Sequence, residues 1–247
     1  MKASPELEDR LRSHGLFVRG VTQLNDEEIE HYGMNPDKPG LALIGNVGSS
    51  YWEQFSQSAE FNDGAAHPLD RWSRRVAELI AQRLSLRALY PFEGPPYYPF
   101  QQWAQRAEGL AQSPVGVMIH PQFGLWHSYR FALLGVGLEI ETGEIETAPI
   151  ETAEIAATST VESPLESPPA SPCLDCAGKP CLHTCPVAAF DANGYAVERC
   201  SDYLQQTPQA ECHQQGCLAR YACPVAPELR YVAAQGRFHL RAFVQAR

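Results

Sequence analysis

Cysteine is absent from the first 172 residues of this 247-residue chain. Any disulfide or thiolate–metal framework is therefore confined to the C-terminal part, where eight cysteines lie between residues 173 and 223. Clustering of this kind is typical of a disulfide framework or of a metal-binding framework. The cysteines are Cys173, Cys176, Cys181, Cys185, Cys200, Cys212, Cys217 and Cys223.

Long apolar runs are also absent. The N-terminal stretch MKASPELEDRLRSHGLFVRG is polar and charged, and it contains no apolar run of signal-peptide length. No segment approaches the roughly 18 apolar residues that a membrane helix requires. We therefore expect a soluble cytoplasmic protein with no membrane partner, in which clustered cysteines more often bind metal than form disulfides.

Positive charge is scarce in this chain. It has 19 Lys and Arg residues against 29 Asp and Glu, a formal net charge of -10. Nucleic-acid binding requires a basic surface, so no nucleic-acid partner is expected. Residues 131–178 contain no Lys or Arg, and their Thr, Ser, Pro, Ala and Glu content predicts a linker over residues 141–172. The glutamates of 139–166 form either a solvated acidic stretch or a docking strip for a basic electron-transfer partner.

Helical and strand patterns alternate over the first 140 residues. SPELEDRLRSH begins with the helix-start signals Ser4 and Pro5, whereas GLALIGNVG (40–48) is a short apolar run typical of a buried strand. This alternation indicates an α/β domain around one sheet over residues 1–140. The cysteine module then occupies residues 173–226, and residues 227–247 form a helical tail.

Three further elements follow from the pattern. SSYWEQFSQSAEF and HPLDRWSRRVAELIAQRLS are typical of helices, and PVGVMIH is typical of a strand. Helical spacing in the second of these predicts a core-facing stripe. Its members are Trp72, Val76, Leu79, Ile80 and Leu84.

The cysteine spacing is C-x2-C-x4-C-x3-C-P, then Cys200, then C-x4-C-x5-C-P. The bacterial ferredoxin run is C-x2-C-x2-C-x3-C-P, and its fourth cysteine ligates the other cluster. The spacing therefore predicts two [4Fe–4S] clusters with crossed ligation, because soft thiolates suit such clusters. One cluster is assigned to Cys173, Cys176, Cys181 and Cys223, and the other to Cys185, Cys200, Cys212 and Cys217.

Zinc is the alternative to iron, since two zinc sites with four thiolates each would also use eight cysteines. Zinc motifs usually pair short cysteine knuckles, whereas Cys200 stands alone here and two groups end in Cys-Pro. His183 and His213 lie among the cysteines. We interpret both as surface or hydrogen-bonding residues rather than ligands.

The segments CLDCAGKPCLHTCPVAAF, RCSDYL and GCLARYACP resemble, in this order, the iron–sulfur part of epoxyqueuosine reductase, with longer spacers. That family couples two [4Fe–4S] clusters to a cobalamin held by a nitroreductase-like domain. The resemblance implies the same cofactors here. No residue matches that family's catalytic acid, so modification of transfer RNA is not implied.

A second resemblance lies in GVMIHPQFGLWHSYRFALLG (116–135). It is similar to the cobalamin-processing chaperones of the methylmalonic aciduria and homocystinuria type C family, whose nitroreductase-like domain carries Ile-His-Pro-x-Phe-Gly-x-Trp. The resemblance implies a corrinoid site. From the residues alone, the stretch is more typical of a strand-entry turn with core aromatics than of a ligand site. The implied binding residues are His120, Phe123, Gly124, Trp126 and Arg130.

The whole chain, including the segment GPPYYPFQQWAQRAE (94–108), also resembles bacterial proteins described as ferredoxin-like with 4Fe–4S clusters. The resemblances imply an α+β fold: a nitroreductase-like α/β sandwich domain followed by a small bis-[4Fe–4S] ferredoxin-like module. The expected function is to pass electrons through two clusters to cobalamin or a substrate in the N-terminal domain. The alternatives are a non-catalytic electron carrier that docks on a reductase, and a scaffold with structural clusters. No catalytic residue is assigned.

Overall fold

A computed structural model describes residues 4–37, 40–135, 171–191 and 194–247. Within these ranges the chain forms two compact units. The first contains residues 4–46, 50–108 and 128–135, and the second contains 47–49, 109–127 and 171–247. The segment 109–127 thus belongs to the same unit as the cysteines. The acidic stretch 139–166 and most of the expected linker lie outside the described residues.

Helices dominate the described part of the chain, and none of those described is long and apolar enough to cross a membrane. A short 3₁₀ turn at Pro227–Leu229 precedes the last helix. The helices are α1 (Pro5–Arg12), α2 (Asp26–His31), α3 (Trp52–Ser56), α4 (Ala59–Asn62), α5 (Pro68–Leu84), α6 (Phe100–Glu108), α7 (Pro180–His183), α8 (Val197–Gln206), α9 (Cys212–Gln215), α10 (Leu218–Tyr221) and α11 (Ala233–Gln245).

The described strands form one four-stranded sheet, in the order β1-β2-β6-β3, and two small hairpins, β4-β5 and β7-β8. In the large sheet, β1 pairs with β2 and β3 pairs with β6, both antiparallel. Helices and a small sheet together make a mixed fold, as the α+β prediction states. The strands are β1 (Phe17–Gln23), β2 (Gly40–Val47), β3 (Arg87–Leu89), β4 (Ala111–Gln112), β5 (Met118–Ile119), β6 (His127–Leu134), β7 (Phe190–Asp191) and β8 (Gly194–Tyr195).

Local signals in the sequence explain several boundaries. Ser4 caps α1 by accepting a hydrogen bond from the amide of Leu7, and Pro5 occupies the first turn, where its missing N–H costs nothing. All eight residues of β2 are buried, as the apolar run predicts. The expected helix over 49–61 is instead two short helices, because Ser58 caps a new helix by accepting from the amide of Phe61.

Two expectations need correction. The strand expected over PVGVMIH is limited to β5, because Gly116 has a φ of +77° and turns the chain. Leu79 is not in the core, since 56% of it is exposed. The buried stripe of α5 is centred on Val76 and Ile80. At 100° per residue around the helix axis, Leu79 projects about 60° from Val76, on the side away from Ile80.

Glu28 joins two helices of the first unit. Its carboxylate accepts hydrogen bonds from the Trp103 indole at 2.9 Å and from the Arg106 guanidinium at 2.9 and 3.0 Å. It also completes a capping box with Asn25 at the start of α2. Burial opposes ionisation of Glu28, but these hydrogen bonds outweigh it and lower its pKa below the ordinary value.

We expect Glu28→Gln to cost about 1–3 kcal/mol of unfolding free energy at pH 7, since its hydrogen bonds are charge-assisted. Because the pKa of Glu28 is lowered in the folded state, its contribution to the unfolding free energy is complete above the unfolded pKa of about 4.3. The contribution is lost as pH falls through the lower folded pKa. Chemical denaturation at several pH values should show the variant and the wild type converging in acid. The exposed neighbour Glu27 supplies the control, Glu27→Gln; an equal loss in both variants would contradict this role.

Candidate functional site

Four cysteines line a cavity of about 220 Å³ in the second unit, here called the Cys217 cavity. They are Cys185, Cys200, Cys212 and Cys217. The remaining wall is largely apolar and aromatic, with Phe190 and Tyr195 from the β7-β8 hairpin and Leu240 and Phe243 from α11. The C-terminal helix therefore closes one side of this thiol-lined cavity.

The other four cysteines line a separate cavity in the same unit, here called the Cys181 cavity. They are Cys173, Cys176, Cys181 and Cys223. Val115, Ile119 and Leu125 form its apolar wall and belong to one packed cluster with Cys223. The cavity is about 20 Å³, close to the space of one water, so its walls would have to move apart to admit a larger group.

The two cavities divide the eight cysteines into the same two sets as the crossed ligation expected from the spacing. All eight are free thiols. The division cuts across the first run of the sequence, because Cys185 leaves its three predecessors and Cys223 replaces it. Chain order alone would instead place Cys173 through Cys185 together.

Electrostatic coupling follows the same division. Burial raises the pKa of the Cys181 thiol, and the charges of the other three thiolates of its cavity raise it further. Burial likewise raises the pKa of Cys212, with added repulsion from Cys200 and Cys185. Ionising several thiols in either cavity is therefore costly without a compensating cation, and metal ions supply that compensation when they deprotonate thiols.

One hydrogen bond to a cysteine sulfur comes from the backbone. The amide of Ala189 donates to the Cys185 sulfur at 3.3 Å. Among the described residues, no group of three or more His, Cys, Asp or Glu side chains is placed to hold a single metal ion. A four-iron cluster binds each thiolate through a different iron, so a cluster-binding set is more widely spaced than a single-ion set.

The two histidines near the cysteines have other positions. His213 lies within hydrogen-bonding distance of the Leu204 carbonyl, with its Nε2 at 3.0 Å. His183 is exposed at the end of α7. Neither lines one of the two cavities.

Gly124 and Trp126, from the corrinoid-like stretch, contact the chain that follows Cys223. Gly124 has a φ of +57°, and a Cβ there would lie 2.5 Å from the Val225 carbonyl oxygen. The Trp126 side chain is fully buried, and its indole N–H donates to the same carbonyl at 3.3 Å. These contacts account for both residues without a ligand, and they hold the last cysteine of the Cys181 cavity in place.

Arg220 also connects the 116–135 stretch to the chain around Cys223, although we did not single it out from the sequence. Its Nε donates to the Leu125 carbonyl at 3.1 Å, and its Nη2 donates to the Tyr231 hydroxyl at 3.1 Å. The guanidinium lies 4.5 Å from the Tyr231 ring centroid and 5.4 Å from that of Trp126. The position of Arg220 between the last two cysteines was the available signal.

His120, Phe123 and Arg130 complete the set implied by the corrinoid resemblance. The His120 Nδ1 accepts from the amides of Gln122 and Phe123, at 3.0 and 3.2 Å, and its ring stacks on Phe123 at 4.3 Å. A neutral His120 therefore carries its proton on Nε2. Arg130 belongs to the first unit, where its guanidinium lies 6.0 Å from the Tyr51 ring centroid.

Comparison of the sequence with protein-family models and with curated proteins found no match. Comparison with solved structures found matches, among them the following three. An epoxyqueuosine reductase solved with an epoxyqueuosine-modified tRNA stem loop is 15% identical, with 94% of this chain and 69% of that chain covered and a TM-score of 0.47. The epoxyqueuosine reductase of Bacillus subtilis is 14% identical, with 92% and 66% covered and a TM-score of 0.45.

The third structure is the C. elegans B12-trafficking protein CblC, described as a homologue of human MMACHC. It is 14% identical, with 97% of this chain and 94% of that chain covered and a TM-score of 0.43. These are the two families that the motifs around the cysteines and around His120 resemble.

Proposed function

We propose that this protein is an iron–sulfur redox protein that binds one [4Fe–4S] cluster in each thiol-lined cavity. The observation that carries the proposal is the division of eight thiols into two cavities, four in each. Four thiolates are the complete ligand set of one such cluster. The division also matches the crossed ligation of two-cluster ferredoxins, which the spacing alone predicts.

When bound, such clusters supply one-electron transfer. The chain's own groups do three things around them. The thiolates would hold the irons, the apolar walls would exclude water, and the hydrogen bond from the Ala189 amide would stabilise negative charge on the Cys185 sulfur. The contacts of Trp126 with Val225, and of Arg220 with both Leu125 and Tyr231, keep Cys223 in its cavity.

The loop around the Cys181 cavity favours electron exchange with an external partner. Leu174, next to Cys173, is 73% exposed, and Asp175, Ala177 and Lys179 are exposed as well. A donor protein could therefore approach these thiols closely. This feature fits both an enzyme that receives electrons and a carrier that delivers them to a reductase.

A corrinoid is the weaker part of the proposal, because its support is the resemblance of residues 116–135. Gly124 and Trp126 already have partners within the second unit. The direct test is the visible spectrum of hydroxocobalamin titrated with the oxidised protein in the absence of oxygen, because a reduced protein would change the spectrum by electron transfer without binding. A spectral change at one equivalent would support corrinoid binding, and an unchanged spectrum would remove it from the proposal.

We also propose that the protein has no nucleic-acid partner, since its net charge is -10. A tRNA stem loop is the appropriate probe, because one similar solved structure contains one. We expect no retardation of the stem loop in a gel at low salt. Stoichiometric, salt-sensitive binding would contradict this expectation.

For the redox function, we expect protein purified without oxygen to accept about two electrons per chain reversibly, one for each cluster. Titration with dithionite, followed by reoxidation with a dye acceptor, measures this number. Cys217→Ser is expected to reduce it to about one, because one cavity loses a ligand. If the protein contains both clusters but dithionite cannot reduce them, the clusters would have a structural role instead.

A further inference from the structure

Arg220 lies on the short stretch of chain that joins the last two cysteines. It is three residues after Cys217, which lines one cavity, and three residues before Cys223, which lines the other. The amide of Cys223 donates to the Arg220 carbonyl at 3.1 Å, and in the same turn the amide of Tyr221 donates to the Cys217 carbonyl at 3.0 Å. The backbone therefore holds Arg220 close to one cysteine of each cavity.

The guanidinium of Arg220 contacts one wall residue of each cavity. Its Nε donates to the carbonyl of Leu125, which lines the Cys181 cavity. Its Nη2 donates to the hydroxyl of Tyr231, which lines the Cys217 cavity. Leu125 belongs to a packed apolar cluster that includes cysteines of both sets. The positive charge therefore reaches the walls of both cavities through a region in which charges interact more strongly than in water.

No carboxylate pairs with Arg220 in the described part of the chain. Its side-chain partners there are neutral groups: the Leu125 carbonyl, the Tyr231 hydroxyl, and the aromatic rings of Trp126 and Tyr231. Arg220 is also only partly exposed. A charge withdrawn from water is usually compensated by an opposite charge, and the thiolate sets on either side of Arg220 are suited to supply it.

We propose that Arg220 is a shared countercharge for the two clusters and raises the reduction potential of each. The inference rests on the proposed function and adds to it a residue that sets the potentials of both clusters. A four-iron cluster with four thiolate ligands is anionic, and accepting one electron makes it more so. A fixed positive charge nearby stabilises the reduced state more than the oxidised state, and so raises the potential.

Two substitutions at Arg220 separate its charge from its packing. Arg220→Gln removes the charge but keeps an N–H donor for the Leu125 carbonyl, whereas Arg220→Lys keeps the charge but loses the planar fork of donors. Arg237→Gln is the matched control. Arg237 belongs to the same unit and also donates to a backbone carbonyl, that of Gln214 at 3.0 Å. It is exposed, however, and lines neither cavity.

The test is a redox titration of the full-length protein without oxygen, monitored by electron paramagnetic resonance, with iron and sulfide counted in each sample. In Arg220→Gln we expect both midpoint potentials to fall while the iron content is unchanged. Arg220→Lys should stay closer to the wild-type potentials, and Arg237→Gln should leave both unchanged. The inference is overturned if Arg220→Gln leaves or raises the potentials or lowers only one of them, or if either other variant lowers them as far.

If Arg220→Gln does not fold or loses iron, Arg220→citrulline provides the second test. It can be made by ligating a synthetic peptide that begins at Cys217, and it replaces the guanidinium by a neutral ureido group. The hydrogen bonds of Arg220 come from Nε and Nη2, so a ureido group with its oxygen in the place of Nη1 can keep them. Both potentials should still fall. Unchanged potentials, or loss of iron here as well, would overturn the inference.

The metal count distinguishes failure of this inference from failure of the proposed function. A wild-type protein with no iron would refute the proposed function. A wild-type protein with both clusters, whose potentials do not respond to the charge at position 220, would refute only the role of Arg220.

Discussion

In the double variant Cys173→Ser with Cys223→Ser, iron should fall to about half of the wild-type content and no further than in either single variant. The two residues are 50 positions apart but line the same cavity. Once one ligand is lost, the cluster in that cavity is lost, so the second substitution removes nothing more. The Cys217 cavity keeps its four thiolates, and its iron remains.

The matched comparison is Cys173→Ser with Cys185→Ser. These residues belong to the same short run, yet they line different cavities. Iron in this variant should fall close to zero, because each substitution removes a different cluster. Iron and labile sulfide counts on anaerobic samples measure both variants. Ligation in simple chain order would reverse the two results, and that reversal would refute the crossed arrangement.

Gly124→Ala should have the second large effect. Residues other than glycine pay about 1–2 kcal/mol for a left-handed backbone, and the new Cβ would also overlap the Val225 carbonyl oxygen at 2.5 Å. Relief of the overlap must move the chain two residues after Cys223. We therefore expect a lower unfolding free energy and the loss of about half of the iron, from the Cys181 cavity.

Gly33→Ala is the control for this prediction. Gly33 has a similar φ of +60°, but a Cβ there has no atom within 4 Å. The Gly33→Ala variant should lose only the free energy of the left-handed backbone and should keep its full iron content. Chemical denaturation and iron analysis compare the two variants. If Gly124→Ala keeps its iron and is no less stable than Gly33→Ala, the proposed link between Gly124 and Cys223 is wrong.

Local parts of the fold could be predicted because their causes are local. Ser4 and Pro5 start α1 through backbone groups a few residues away, and the apolar run of β2 is buried throughout. Leu79 shows what apolar periodicity leaves open. The periodicity identifies the apolar side of α5, but not which part of that side the neighbouring elements cover. Gly116 similarly shortens a strand that composition favours.

The grouping of the cysteines was predictable, but their surroundings were not. The cysteine spacing predicted the same two sets of four thiols that line the two cavities. Arg220 acts through its contact with Leu125, 95 residues earlier in the chain, and no short motif contains such a pair. Gly124 marks a close backbone approach, but the sequence does not say whether its neighbour is a ligand or Val225.

The central claim is that the eight thiols hold two iron–sulfur clusters. Its most direct measurement is the count of iron, zinc and labile sulfide in full-length protein purified without oxygen, with electron paramagnetic resonance of the reduced sample. We predict about eight irons and eight sulfides per chain and a signal typical of reduced four-iron clusters. A colourless, stably folded protein that carries zinc and no sulfide would contradict it.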